Sequence, residues 1–165
     1  MRRLEEATAE NMIEKKTCAI TGHRVLPDDL NKNALYDALE NLILEGYDLF
    51  LCGMAEGFDL LCLEMLFALK TKYRIFVEAC VPYIGQEKNF SQKNKSLYRE
   101  LIEGCEYKTV LSENYFNGCF LARDRYMVDK CDLLFAYCTK ETGGAAYTVA
   151  YAKSKSVPIV FFGKK

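Results

Sequence analysis

The chain of 165 residues has the length of one ordinary domain, and 50% of its residues are hydrophobic, 27% charged and 13% aromatic. This composition excludes a disordered or fibrous protein. The 22 Lys and Arg against 23 Asp and Glu leave a formal net charge of −1. No global basic field therefore draws the protein to nucleic acid, although a local basic patch remains open.

The first residues of the chain carry four glutamates and no apolar core, which is not the pattern of a signal peptide. No apolar run approaches the ~20 residues that a membrane span needs. We therefore predict an N-terminal extension over residues 1–16, a single domain over residues 17–165, a cytoplasmic location and no membrane partner.

The first half of the chain alternates short apolar runs with helical periodicities. Residues 17–21 are predicted as a buried strand, followed by a helix that Pro27 and Asp28 open and Gly46 ends. Residues 48–53 form the second predicted strand, residues 59–73 the second helix and residues 75–81 the third strand, which Pro82 stops.

The second half continues the same alternation. Its predicted helices and strands are separated by polar loops at 83–94, 112–119 and 139–144. In chain order the predicted elements are helix 96–105, strand 107–111, helix 120–131, strand 132–138, helix 145–155 and strand 158–162. Strands that are almost continuously apolar imply a parallel sheet covered on both faces. We predict an α/β fold, a three-layer Rossmann-like sandwich with a mostly parallel sheet of about six strands.

The eight cysteines form no CxxC pair, so a zinc knuckle or a thioredoxin-type site is not encoded. The lone histidine, His23, weakens any mixed Cys/His metal site further, and we expect neither a metal nor a bound cofactor. Most of the cysteines lie in apolar runs, which favours small buried hydrophobes in a reducing compartment. A reactive thiol is the alternative.

In an open parallel sheet, ligands bind beyond the carboxyl ends of the strands. After the first strand, Gly22 would let the backbone approach a ligand and Arg24 could pair with a phosphate. A tight turn with an exposed arginine explains the same residues equally well. After the fifth strand, Gly143 and Gly144 open a helix, which suits a phosphate or merely a loop that needs a positive φ.

The turn after the second strand contains Gly53 and Gly57, which could leave backbone N–H groups free to bind an anion at a helix N-terminus. Asp59 could cap that helix instead. Glu56 is predicted as an exposed carboxylate that holds a ribose hydroxyl or acts in acid/base chemistry. The turn matches neither GxGxxG nor a Walker loop.

Two arginines lie two positions apart in the predicted helix 120–131, so a regular helix does not place them on one face. With Asp124 off its face, Arg123 could pack against the neighbours of Met127 or face solvent, as on an ordinary solvated helix. Asp129 follows Arg125 by four positions, and this spacing predicts an ion pair within the helix.

Four segments, TGHR, GMAEGFD, LSENYFNGCFLARDRYMVDKCD and GGAAYTVAYA, resemble the YpsA-like family of bacterial proteins of unknown function, over residues 17–162. That family belongs to the SLOG superfamily of Rossmann-like nucleotide-binding proteins. The superfamily includes phosphoribohydrolases of the "Lonely guy" type and DNA-processing proteins. The resemblance implies a ligand pocket built from residues of all four segments. Those residues are Gly22, Arg24, Gly53, Glu56, Gly57, Asp59, Arg123, Arg125, Gly143 and Gly144, and His23, which lies between two of them, is a further ligand-binding candidate.

The sequence departs from the phosphoribohydrolase motif PGGxGTxxE. Aligned on the glycine pair, the motif's proline is replaced by Thr142, its threonine by Tyr147 and its glutamate by Ala150. Thr148 could supply a hydroxyl to the ligand instead. The missing glutamate argues against hydrolase activity of that type.

These residues favour a nucleotide-binding sensor or regulatory protein, whose partner is a small phosphorylated ligand. The alternative is a hydrolase that cleaves the N-glycosidic bond of a nucleotide, with Glu56 or Asp59 as the catalytic carboxylate. A third reading, a partner-binding or DNA-associated module, is disfavoured by the near-zero net charge. A homo-oligomer stays open.

Overall fold

The computed structural model describes residues 15–163, along which six strands alternate with five α-helices. The strands are β1 (Lys16–Gly22), β2 (Tyr47–Cys52), β3 (Phe76–Val81), β4 (Tyr107–Val110), β5 (Leu133–Tyr137) and β6 (Ile159–Phe161). The α-helices are α1 (Lys32–Leu44), α2 (Phe58–Leu69), α3 (Gln92–Glu103), α4 (Cys119–Lys130) and α5 (Gly144–Ser154). A short 3₁₀ helix, Gln86–Asn89, follows β3.

The strands form one parallel sheet in the order β4-β3-β2-β1-β5-β6. Apolar residues of α1, α2 and α3 pack on one face of the sheet, and those of α4 and α5 pack on the other. Because both faces are covered, the four central strands β1, β2, β3 and β5 are largely buried and lack polar alternation, whereas the edge strands β4 and β6 are more exposed. The predicted three-layer Rossmann-like α/β fold is confirmed.

Two predicted helix starts are wrong, and side-chain caps explain both. Helix α1 begins at Lys32 and not at Pro27, because the Asn31 side chain accepts a hydrogen bond from the Ala34 N–H at 3.0 Å. Helix α3 begins at Gln92, inside the predicted loop, where Ser91 caps the N–H of Asn94 at 3.2 Å.

The cysteines are unpaired thiols within the described part of the chain, and all but the half-buried Cys131 are buried. Burial raises the pKa of Cys105 and of Cys131 to about 11, so these two thiols stay protonated and unreactive near neutral pH. The prediction of small buried hydrophobes is confirmed.

Most of the predicted N-terminal extension, residues 1–14, lies outside the described residues, and β1 already begins at Lys16. The division of the chain at residue 17 stays a prediction. Among residues 15–163, no helix has the length and apolarity to cross a membrane.

The strand order reverses between β1 and β5. After β1 the chain adds β2, β3 and β4 on one side, and it then returns to place β5 on the other side of β1. The last residues of the two strands, Gly22 and Tyr137, are paired in register. The segments that follow them therefore leave the sheet side by side, at the position where open parallel sheets bind ligands.

Candidate functional site

A pocket of about 180 Å³ lies at the carboxyl ends of β1, β2 and β5. Its lining comes from the segment after β1, the turn after β2, the first turns of α4 and the N-terminus of α5. The predicted site residues that line it are Gly22, His23, Arg24, Gly53, Asp59, Arg123 and Gly144. The fold thus brings together residues from all four segments that the sequence singled out.

Arg24 supplies an available positive charge at this pocket. Its side chain is exposed, and its guanidinium carbon lies 4.8 Å from the centre of the Phe120 ring. Within residues 15–163, no carboxylate lies within ion-pair distance of it. A cation over an aromatic face is held in place without using its N–H donors. Arg24 can therefore offer a forked pair of donors to a phosphate.

The N-terminus of α5 faces the same pocket through Gly144 and Ala145. Gly143 is the N-cap residue, has a φ of 102° and provides no side-chain cap. The first N–H groups of a helix have no partner within the helix, and the helix dipole favours an anion there. The arrangement suits a phosphate group.

Arg123 has a different role from Arg24. It is 4% exposed, its Nε donates to Asp124 Oδ1 at 2.7 Å, and its Nη1 donates to the Gly53 carbonyl oxygen. Burial lowers the pKa of Arg123, but Asp124 and Asp59 outweigh that effect and raise it overall. Of the two alternatives for Arg123, the solvent-facing side chain is therefore wrong, and Arg123 ties α4 to the turn after β2.

The contact between Arg123 and the turn after β2 requires a glycine at position 53. A Cβ added at Gly53 would lie 2.7 Å from Arg123 Nη1, closer than real Cβ atoms approach other atoms. The carbonyl oxygen of Gly53 also accepts from Gln86 Nε2 at 3.0 Å, and Tyr98 in turn donates to Gln86 Oε1 at 3.3 Å. The backbone of the turn is thus held from both sides by buried polar side chains.

Asp59 lines the pocket from the first turn of α2 and is 6% exposed. Its Oδ2 accepts from the Ala55 N–H at 3.1 Å, so the carboxyl group braces the turn and does not cap the helix. Burial raises the pKa of Asp59 to about 6, against the opposing effects of Arg123 and the Ala55 N–H. The site therefore contains one carboxyl group that titrates close to neutral pH.

The raised pKa predicts a pH-dependent stability. The folded protein holds the Asp59 proton up to about pH 6, whereas the unfolded chain releases it near the usual value of 3.8. Because the folded state binds more protons in between, its stability falls as the pH rises through this range. Relative to Asp59→Asn, we expect the free energy of unfolding to fall by roughly 2 kcal/mol between about pH 4 and about pH 7. Urea denaturation of both proteins measures this, and a pH-independent difference would contradict it.

Two backbone N–H groups in and next to the turn after β2 already donate hydrogen bonds to other groups of the protein. Phe58 N–H donates to the His23 carbonyl at 3.0 Å, and Ala55 N–H donates to Asp59. Gly57 has a φ of 83°, and a Cβ there would overlap the carbonyl oxygen of Arg24. The expectation that this turn presents free N–H groups to an anion is therefore wrong for these two donors. The turn instead packs against the segment that carries Arg24.

His23 joins the segments that follow β1 and β5. Its Nε2 accepts from the Thr139 N–H at 2.9 Å, and its ring lies edge-on to Tyr137 at 5.3 Å. Burial and the nearby Lys140 lower the pKa of His23 below its ordinary value. The neutral ring therefore holds the segments that follow β1 and β5 together without adding charge to the pocket.

Several predicted site residues lie away from this pocket. Arg125 donates to Tyr147 Oη at 2.9 Å and Asp129 accepts from Tyr151 Oη at 2.8 Å, so the predicted Arg125–Asp129 pair is wrong. Both side chains are directed to α5 and not to each other. Thr148 is 2% exposed and donates to the carbonyl of Gly144, four residues earlier in its own helix.

Glu56 and Gly57 border neighbouring cavities, and Gly143 adjoins the main pocket without lining it. Glu56 is half-buried and not exposed as expected, and its Oε2 accepts from Asn94 Nδ2 at 2.5 Å. Across residues 15–163, no cluster of three or more His, Cys, Asp or Glu side chains has the arrangement of a metal site.

Phe120, Asp124 and Gln86 line or brace the site, and sequence reasoning missed all three. Phe120 precedes Arg123 by three positions, a helical spacing that brings side chains together, so this contact had a signal. Asp124 and Gln86 had none. Adjacent helix residues rarely face each other, and Gln86 lies in a segment whose polarity predicts only a surface loop.

A family model and two relatives that match this chain point to the same family. The model of the YspA SLOG family matches residues 29–158. A UPF0398 protein of Bacillus licheniformis is 26% identical over 152 residues, which cover 84% of this chain and 83% of the relative. The UPF0398 protein YpsA of Bacillus subtilis is 26% identical over 154 residues, covering 85% and 86% of the two chains.

Solved structures share the fold at low identity. DNA processing protein A from Streptococcus pneumoniae superposes with a TM-score of 0.70 at 16% identity over 94% of this chain, which spans about half (53%) of that protein. DNA processing protein A from Helicobacter pylori, which binds single-stranded DNA, superposes with a TM-score of 0.67 at 19% identity. The match covers 94% of this chain and 69% of that protein. The molybdenum cofactor binding protein from Rippkaea orientalis gives 0.62 at 17% identity, covering 93% and 79%.

Proposed function

The chain belongs to the YspA SLOG family, and from this premise we propose that it binds a nucleotide or nucleotide-derived ligand as a sensor or regulatory protein. The single observation that carries the proposal is the placement of Arg24. Its guanidinium lies on Phe120 with its donors uncommitted to any carboxylate of the described chain, beside the uncapped N-terminus of α5. Both features favour a phosphate group.

The pocket's size supports a ligand that is only partly enclosed. Small-molecule sites usually measure about 300–1,000 Å³, whereas this pocket measures about 180 Å³. A phosphate with its adjoining sugar would occupy the pocket, and the remainder of the ligand would extend beyond it. The proposal therefore assigns Arg24 and the α5 N-terminus to the phosphate.

Calorimetric titration with AMP, ADP-ribose and NAD tests the proposal. We expect Arg24→Gln to weaken binding at least about tenfold, because a charge-assisted hydrogen bond contributes about 1.5–3 kcal/mol. Arg99→Gln is the matched control, because Arg99 is an exposed arginine on α3 outside the pocket, and its affinity should equal that of the wild type. No binding by the folded protein at millimolar ligand would contradict the proposal.

A hydrolase is the second candidate function, and Asp59 is the observation that favours it. A carboxyl group whose pKa is about 6 is suited to proton transfer near neutral pH. In this reading Asp59 acts on the glycosidic bond of a nucleotide whose phosphate lies at Arg24. Base release from AMP, abolished in Asp59→Asn while AMP binding persists, would support it. Absence of turnover with bound AMP would exclude this reaction.

A single-stranded oligonucleotide belongs in the same titrations, because a protein of similar fold binds single-stranded DNA. Strand binding through several phosphates weakens steeply with salt, whereas one phosphate at Arg24 gives a shallow dependence. We also propose a cytoplasmic location. The proposed function is compatible with a monomer and with a homo-oligomer.

A further inference from the structure

A cluster of aromatic side chains lies next to the proposed phosphate site. Tyr83 follows β3, Tyr115 follows β4, and Phe120 lies in the first turn of α4. Their ring centres are 5.5 Å apart for Tyr83 and Tyr115, 6.0 Å for Tyr83 and Phe120, and 6.3 Å for Tyr115 and Phe120. We call these three residues the aromatic cluster.

The three rings of the aromatic cluster differ in exposure, because Tyr83 and Phe120 are half-buried and Tyr115 is exposed. Tyr115 is 60% exposed, and its neighbour Phe116 is 44% exposed. Hydrophobic stabilisation is proportional to the apolar area removed from water, so a ring this exposed contributes little to folding. Contiguous exposed apolar groups on a protein surface can mark a ligand-binding groove.

Two members of the aromatic cluster, Tyr83 and Phe120, line a cavity that adjoins the phosphate pocket, while Tyr115 lines neither cavity and packs against both rings. A second cavity of about 120 Å³ is lined by Tyr83 and Phe120 together with Phe90. It shares Arg24, Ala55 and Phe120 with the lining of the phosphate pocket. Phe120 therefore contacts Arg24 on one side of the boundary and belongs to the aromatic cluster on the other.

Polar groups border the second cavity. Glu56 and Asn89 line it, and Asn89 is exposed. A carboxylate accepts hydrogen bonds, and an amide both donates and accepts, which matches the mixed edge of a nucleobase. Aromatic faces stack on the flat surface of any base. A phosphate site, an adjoining aromatic surface and polar groups at its border together match the parts of a nucleotide.

We propose that the aromatic cluster binds the unpaired base of the nucleotide whose phosphate lies at Arg24. This inference rests on the proposed function and deepens it, because it restricts the ligand to one that carries a purine or pyrimidine. Phosphorylated sugars without a base would then bind weakly. The base can belong to a free mononucleotide or to the end of a single strand, since both present the same chemistry.

The test compares AMP with ribose 5-phosphate, which carries the phosphate and sugar but no base. We expect AMP to bind at least about tenfold more tightly, because stacking on an aromatic side chain contributes roughly that much affinity per base. Tyr115→Leu keeps apolar bulk but removes the ring, and it should lower the affinity for AMP while leaving that for ribose 5-phosphate unchanged. Tyr115→Phe keeps the ring and should restore AMP binding.

Tyr107→Leu is the control variant. Tyr107 is also exposed, at 38%. It is the first residue of β4 and therefore lies at the amino-terminal end of the parallel strands, away from the pocket at their carboxyl ends. Its replacement should leave both affinities unchanged. A ten-nucleotide deoxyadenosine strand separates the two sources of the base. Weaker binding of the strand than of AMP indicates a mononucleotide, and strand binding that equals or exceeds that of AMP indicates a strand end. Tyr115→Leu should reduce both affinities.

Two outcomes would overturn the inference, and they are distinguishable. If AMP and ribose 5-phosphate bind equally and Tyr115→Leu has no effect, the aromatic cluster is not a base site although the phosphate site stands. If neither ligand nor the strand binds to the folded protein, the proposed function fails and the inference fails with it.

Discussion

Arg123→Ala is expected to lower the free energy of unfolding by about 3–5 kcal/mol, the usual loss when one partner of a buried ion pair is removed. The substitution leaves Asp124, whose side chain is 13% exposed, without its cation. It also removes a hydrogen-bond donor from the Gly53 carbonyl oxygen. The positive charge that lowers the pKa of the buried Asp59 is lost as well. Urea denaturation at neutral pH measures the loss.

Arg125→Ala is the matched control, because it removes the same side chain two positions along the same helix. Arg125 donates one partly buried hydrogen bond to Tyr147, so we expect a much smaller loss than for Arg123→Ala. Similar losses for the two variants would show that Arg123 does not brace the turn after β2. In that case Arg123 would return to the list of ligand-binding candidates.

Gly57→Ala is expected to lower the free energy of unfolding by about 3 kcal/mol or more and to weaken AMP binding about tenfold. Gly57 has a φ of 83° and a ψ of −120°, a conformation that residues with a side chain rarely adopt. The added Cβ would also overlap the carbonyl oxygen of Arg24. Relief of that overlap requires the Arg24 segment to move, which displaces the proposed phosphate ligand.

Gly118→Ala separates backbone strain from the overlap. Gly118 has a φ of 90° and a ψ of 6°, and nothing lies within 4 Å of an added Cβ. Its replacement should cost about 1–2 kcal/mol from the left-handed conformation alone. We expect ligand affinity to stay at the wild-type value. Equal effects of the two glycine variants on stability and binding would refute the proposed contact between Gly57 and the Arg24 segment.

The sheet could be predicted because its strands are short, continuously apolar and separated by helical patterns. Residues 48–53 and 75–81 were assigned within one residue of β2 and β3, and the alternation alone implied parallel pairing. The starts of α1 and α3 could not be placed as well. Asn31 and Ser91 decide them through side-chain caps, which compete with Pro27 and with the polar loop in the sequence pattern.

The position of the candidate pocket in the fold could be predicted from the sequence, but the different contacts of its residues could not. Gly22, Arg24 and Gly144 follow strands or open helices, so the parallel topology alone brings them to one edge. Arg24 and Arg123 are both ligand-binding candidates in the sequence. Only the three-dimensional packing shows that Arg123 is paired and buried while Arg24 has donors available.

The turn after β2 illustrates the limit of glycine patterns. Two glycines at a strand–helix junction are compatible with an anion site and with close backbone packing. In this protein Gly53 accommodates Arg123 and Gly57 accommodates the Arg24 carbonyl, and both contacts are made with residues distant in sequence. Such contacts leave no local signal, so the sequence could not distinguish the two explanations.

The most direct test of the phosphate site is a crystal structure of the protein grown with AMP. The proposal predicts phosphate oxygens within about 3.2 Å of the Arg24 guanidinium and of a backbone N–H in the first turn of α5. Density for AMP elsewhere on the protein, with the guanidinium of Arg24 still lying on Phe120 and free of the phosphate, would contradict it.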